Sequence, residues 1–215
     1  MNTMQQFESH LTSGQKKTLD ELTNPVEIQA YLDATPYSPE NQNRNPLRVM
    51  SEHLAHCLDG GLFGALGLRR LGYPPLIVDL LPDPGMDDDH VLAIFRKDGC
   101  LGAVAKSNFA GLRYREPVYR TMRELVMSYF EDFYNVNGLR TLRYYSVTVD
   151  LSRYDDTGWM WDDRGCDVIE EALKHLRKFR LISPSQAKAL HSLDPLSYKS
   201  GTLGTNPAGL YKPKK

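Results

Sequence analysis

Apolar residues recur along the chain first at helical spacing, then at strand spacing, then at helical spacing again. Residues 1–23 are polar with scattered leucines, which predicts short helices near Gln5–Leu11 and Gln15–Leu22. "NPVEIQAYLDAT" reads as a helix capped by Asn24, with Pro25 in the first turn, where its missing N–H costs nothing. Residues 36–46, "PYSPENQNRNP", have the composition of a loop. Leu47, Met50 and Leu54 share a helical face, and "HCLDGGLFGALGLRRLG" predicts a helix that begins at Cys57 and stops at Gly72.

The period changes at Leu76. "LIVDLL" is a short apolar strand, "PDPGMDDD" an acidic turn, and "HVLAIFR" and "CLGAVAKSN" are strands separated by Lys97-Asp98-Gly99. Asp-Gly between apolar runs signals a hairpin, because both central residues of a type I′ turn need positive φ. Residues 117–135 carry the period of a long amphipathic helix, and residues 140–151 alternate as a strand. A helix is expected over 167–180, followed by a short one that Ser183 caps ahead of Pro184. The tail from Pro195 has the Gly, Pro and Lys content of a surface-bound or disordered segment.

Helices, a small antiparallel sheet and further helices make an α+β fold in one globular domain. Its expected parts are N-terminal helices and loop over 1–45, a core over 46–151, a helical elaboration over 152–194 and a flexible tail over 195–215. Lys+Arg 26 against Asp+Glu 27 gives no charge imbalance that would draw a nucleic acid or an anionic membrane as partner. Apolar runs such as Pro74–Leu81 are too short to span a bilayer, and "MNTMQQFESHLTSG" has no apolar signal core, so a cytoplasmic location is expected. Cys57, Cys100 and Cys166 are too widely and unevenly spaced for a disulfide framework and read as thiols of a reducing compartment.

Chemistry concentrates at Cys57. A helix N-terminus favours a thiolate through its free N–H groups and dipole, and a histidine is needed as partner base. His90 opens a strand directly after the acidic turn. Thiol on a helix, strand, histidine on the next strand and hairpin therefore follow in order. "HCLDGGLFGALGLRRLGYPPLIVDL" and "DHVLAIFRKDGCLGAVAKSN" together resemble, over residues 50–110, the core of the transglutaminase-like cysteine enzymes, relatives of the papain fold. Cys57, Gly72, Leu76–Leu80, His90-Val91 and Asp98-Gly99 match the family's pattern.

The resemblance implies acyl transfer through a Cys57–His90 pair and a thioester, most simply a peptidase or amidase acting on a peptide or protein substrate. It implies no metal or organic cofactor. The family's orienting aspartate on the second hairpin strand falls at Ala105, which cannot hold an imidazole. Ser107 lies opposite His90 if the two-residue turn sets the register, and Asn108 offers the better acceptor if a bulge shifts it. The same register puts His90, Leu92 and Ile94 on one face with Ala103 and Ala105, the face expected to meet the Cys57 helix. The oxyanion donor would be the Cys57 N–H with a side chain from the preceding segment, either His53 or His56.

Two other readings compete. Without the aspartate, the chain reads as a catalytically degenerate module that binds a peptide or protein. Alternatively, His53 and His56, three apart on one helix, could share a zinc ion completed by Asp89 or His90, although the glutamate of an "HExxH" helix is absent. Arg113, Arg115, Arg120 and Arg123 form either a basic rim or, with Glu116 and Glu124 between them, a solvated face.

Overall fold

The computed structural model describes residues 2–213. Four helices lead the chain: α1 (Thr3–Ser9), α2 (Ser13–Glu21), α3 (Pro25–Ala34) and α4 (Pro46–Glu52). Asn2, Thr12, Asn24 and Asn45 each start one of them by accepting a first-turn N–H. The middle of the chain holds α5 (Cys57–Arg70), β1 (Leu76–Pro82), β2 (His90–Lys97), β3 (Cys100–Val104), β4 (Arg115–Tyr119) and α6 (Met122–Met127). Then come β5 (Leu142–Ser146), β6 (Val149–Asp150), α7 (Asp163–Lys174), β7 (Lys178–Arg180), α8 (Pro184–Lys188) and α9 (Pro195–Gly201). The fold mixes helices with one seven-stranded antiparallel sheet, in the order β4-β3-β2-β1-β5-β7 with β6 also on β1.

The hairpin forms as its turn requires. Asp98 and Gly99 have φ of 50° and 80°, and pairing runs from Lys97 with Cys100 to Ala93 with Val104. Helix α5 is buried along most of its length. It lies across β2, where a Cβ on Gly61 would stand 2.7 Å from Val91 and one on Gly64 would stand 2.9 Å from Ala93. On another side, a Cβ on Gly67 would meet Ile28 of α3 at 2.8 Å. The glycines thus let one helix seat against a sheet and a second helix at once.

That contact uses the opposite face of the hairpin from the one expected. Val91, Ala93 and Val104 meet α5, whereas Leu92, Ile94, Ala103 and Ala105 pack with Leu125, Tyr129 and Phe133, and His90 follows them to that face with its ring edge-on to Tyr129. Both faces of the central strands are buried, so apolar pattern alone does not say which one receives the helix.

Four other expectations are corrected. Residues 117–135 are not one long helix: Pro117 lies in edge strand β4, where a missing N–H is tolerated, and the Thr121–Glu124 capping box starts α6 only at Met122. The run 140–151 is interrupted so that β5 and β6 each pair with a different part of β1. The helix expected over 167–180 starts earlier, capped by Asp162, and ends at Lys174, leaving Lys178–Arg180 to pair with β5. The tail is also structured. It contains α9 and a 3-10 turn, Pro207–Gly209, while residues 214 and 215 lie outside the described residues.

Candidate functional site

The loop before α5 sets the position of Cys57. His56 caps the helix, its Nδ1 accepting from Leu58 N–H at 3.2 Å, and Asp59 closes the capping box by accepting from His56 N–H at 3.0 Å. The second Asp59 oxygen accepts from Arg44 N–H at 2.7 Å, and the guanidinium of Arg44, only 2% exposed, bonds Glu40, Glu52 and Ser38. Burial nevertheless pushes the Asp59 carboxyl up to about 7. This network fixes the first turn of α5, one turn before the glycines that contact β2.

Cys57 is half-buried, and its thiol donates weakly to the Asp89 carbonyl at 3.7 Å. Burial raises the thiol pKa, and Asp89, Asp88, Asp59 and Asp79 raise it further. His90, the next residue after that carbonyl, is 3% exposed at the start of β2. Its Nε2 lies 2.7 Å from the Leu112 carbonyl oxygen. A carbonyl only accepts, so this contact puts the proton on Nε2 and leaves Nδ1 as the basic nitrogen. Burial pulls the imidazole down to about 4, partly opposed by the Leu112 carbonyl and reinforced by Arg115. Cys57 and His90 line one small cavity of about 50 Å³ with Leu112 and Asn108, although no hydrogen bond joins thiol and ring.

The expected orienting residues are engaged elsewhere. The hairpin ladder ends at Val104, so Ser107 and Asn108 lie beyond it. Ser107 Oγ accepts from Phe109 N–H at 3.0 Å, and the Asn108 amide bonds the main chain of Asn206. His90 Nε2 instead meets the Leu112 carbonyl, a main-chain oxygen that no side-chain pattern reveals.

Of the two oxyanion candidates, His56 lines the cleft with Cys57 and His53 does not. His53 terminates α4 with φ of 48°, and its exposed ring stands edge-on to Tyr31. His56 uses Nδ1 as the helix cap, and its Nε2 faces Asp59 at 3.3 Å. Nor do His53, His56 and His90 converge as a zinc site. Among the described residues no group of three or more His, Cys, Asp or Glu side chains is arranged to hold a metal ion. The arginines split similarly: Arg113 pairs with Asp33, and Arg115 packs its guanidinium over Tyr129 while bonding Ser128 and Gly111.

Two side chains missed by sequence reasoning complete the site. Tyr37 lines the cleft beside Cys57, and burial together with the thiol pushes its hydroxyl pKa upward. Asp79, the one charge in "LIVDLL", is 1% exposed on β1, and its Oδ1 has no hydrogen-bond partner among the described residues. It lines a larger cleft of about 380 Å³ with Cys57, Asp88 and Asp89. A lone acid in an apolar strand is a readable signal. Tyr37, one residue in a proline-rich loop, gives none.

No protein-family model matches the chain, and no curated protein matches it. Among the described residues no helix is long and apolar enough to cross a membrane.

Proposed function

We propose that the protein is a cysteine-dependent acyl-transfer enzyme with a transglutaminase-like core, acting as a peptidase or amidase. The observation that carries this reading is the common cavity of Cys57 and His90, with the His90 tautomer held by the Leu112 carbonyl. The order helix–strand–strand–hairpin supports it, since the thiol opens α5 and the imidazole opens β2.

In this mechanism His90 Nδ1 takes the thiol proton as Cys57 Sγ bonds to the carbonyl carbon of the substrate. The oxyanion that forms accepts from the Cys57 N–H, a first-turn donor with no partner among the described residues, and from the Tyr37 hydroxyl. Collapse of the tetrahedral adduct breaks the bond to the leaving amine, which takes the proton from His90. Water then gives a proton to Nδ1 and attacks the thioester, releasing the acid and restoring the thiol. Neutral imidazole and neutral thiol are the resting pair, consistent with the direction of both pKa shifts.

The test is the rate at which iodoacetamide alkylates Cys57 at pH 8, in the wild type and in His90→Ala. Acyl transfer predicts a slower reaction in the variant, whereas equal rates remove His90 from the mechanism. A second reading, a peptide-binding module without chemistry, draws on the carboxylates that raise the thiol pKa. A reactive cysteine is ordinarily found in electropositive surroundings.

A further inference from the structure

The C-terminal segment is seated where a substrate would have to lie. After α9, which Tyr198 anchors through its hydroxyl to the Val136 carbonyl at 3.0 Å, the chain crosses to the cleft at Asn206. Asn108 brackets that residue: its Oδ1 accepts from Asn206 N–H at 2.7 Å and its Nδ2 donates to the Asn206 carbonyl at 2.9 Å. One side-chain amide thus reads both polar groups of one main-chain residue, as a neighbouring strand would. Gln29 grips Ala105 in the same way, at 3.0 and 2.9 Å. The Asn206 amide in turn donates to the Tyr37 carbonyl at 3.1 Å. Beyond it, Gly209 lies so close that a Cβ would stand 2.8 Å from the Tyr37 ring, and Gly209 and Tyr211 line the cavity of Cys57 and His90.

We propose that Asn108 and the Tyr37 main chain form a peptide-binding subsite beside Cys57. Its ligand is a peptide, held by Asn108 at the main chain of one residue and by the Tyr37 carbonyl at that residue's side-chain amide, and residues 206–211 fill it as a tethered competitor. This rests on the acyl-transfer reading for its biological sense, but the subsite itself needs no chemistry. Asn108 makes two bonds that any residue with a main-chain N–H and carbonyl can supply, so its recognition is of the backbone, while the Tyr37 carbonyl favours an amide side chain at the same position. Gly209 satisfies the narrow place against Tyr37, which selects a small residue three positions further on.

The test uses the full chain carrying Asn206→Ala, which removes the bond to Tyr37 and the side-chain cap on Ala208 N–H while leaving Asn108 intact. Hydrogen exchange at residues 206–211 should rise roughly three- to tenfold, the effect of losing one or two net hydrogen bonds. An acetylated, fluorescently labelled peptide Thr-Asn-Pro-Ala-Gly-Leu-Tyr-Lys should then bind the variant at least about fivefold more tightly than the wild type, and adding Asn108→Ala should abolish the gain. Should Asn206→Ala fail to fold, Gly209→Ala releases the segment by steric pressure against Tyr37 and carries the same expectations. Unchanged exchange, or a released segment with no Asn108-dependent peptide binding, overturns the proposal. Binding measured in Cys57→Ala keeps this outcome separate from acyl transfer: a peptide that binds there supports the subsite even if the thiol proves inert.

Discussion

His90 Nε2 and the Leu112 carbonyl oxygen stand 2.7 Å apart, and this contact, not a carboxylate or amide side chain, fixes the imidazole. A neutral acceptor holds the tautomer without adding the negative charge that would stabilise an imidazolium. The consequence is a ring that burial keeps neutral down to about pH 4.

That depressed value predicts how stability depends on pH. Below the ordinary pKa of 6.5 the unfolded chain takes up a proton at His90 that the folded chain refuses until about pH 4. The stability His90 contributes by staying neutral is present above pH 6.5 and is lost as pH falls from there to 4, with an upper bound of about 3 kcal/mol. Asp59, raised to about 7, has the opposite slope over an overlapping range. Urea denaturation of the wild type beside His90→Gln isolates the first effect: the difference should move in favour of the variant as pH falls from 7 to 4.

Tyr37→Phe should leave the fold intact, because it removes only a hydroxyl from a ring that stays packed beside Gly209. Loss of an oxyanion donor costs about 10²-fold or more in turnover. Hydrolysis of an activated amide, read as kcat against KM, should show the loss mainly in kcat.

The seating of α5 is predicted to tolerate no added methyl at Gly61. A Cβ there would stand 2.7 Å from Val91 Cγ1, so Gly61→Ala should destabilise by about 1–2 kcal/mol despite its better helix propensity. Thermal unfolding should show part of that loss restored by adding Val91→Ala.

Arg44→Met removes the guanidinium beside a buried carboxyl. Loss of about 3 kcal/mol is expected, because Asp59 stays buried without it. The loss should be larger at pH 8 than at pH 6, since Asp59 titrates near 7 and must carry its charge at the higher pH. Combining Arg44→Met with Asp59→Asn should flatten that difference.

Local chemistry made much of the fold legible. Asn24-Pro25 and Ser183-Pro184 mark helix starts, Asp98-Gly99 marks the hairpin, and Cys57 to Gly72 bound α5. Where the reading failed, tertiary pairing outweighed local period. Residues 115–119 add an edge strand to β3, and Lys178–Arg180 add another to β5, although both runs lie in stretches with helical spacing. At the candidate site, Cys57 and His90 stand out in the sequence as residues that open elements, and the structure sets both on one small cavity. The Leu112 carbonyl was not, since any residue carries one. Asn108 was legible as a residue of consequence, but its partner Asn206 lies 98 positions along the chain, a separation no local pattern bridges.

The most direct measurement of the central claim is covalent capture of the acyl group. Mixed with an activated ester such as p-nitrophenyl acetate, the wild type should gain one hydroxylamine-labile acetyl group, located by peptide mass spectrometry on Cys57. His90→Ala should acetylate much more slowly and Cys57→Ala not at that position at all. Acetylation spread over lysines with Cys57 unmodified, or a rate at Cys57 unchanged by His90→Ala, would contradict the account.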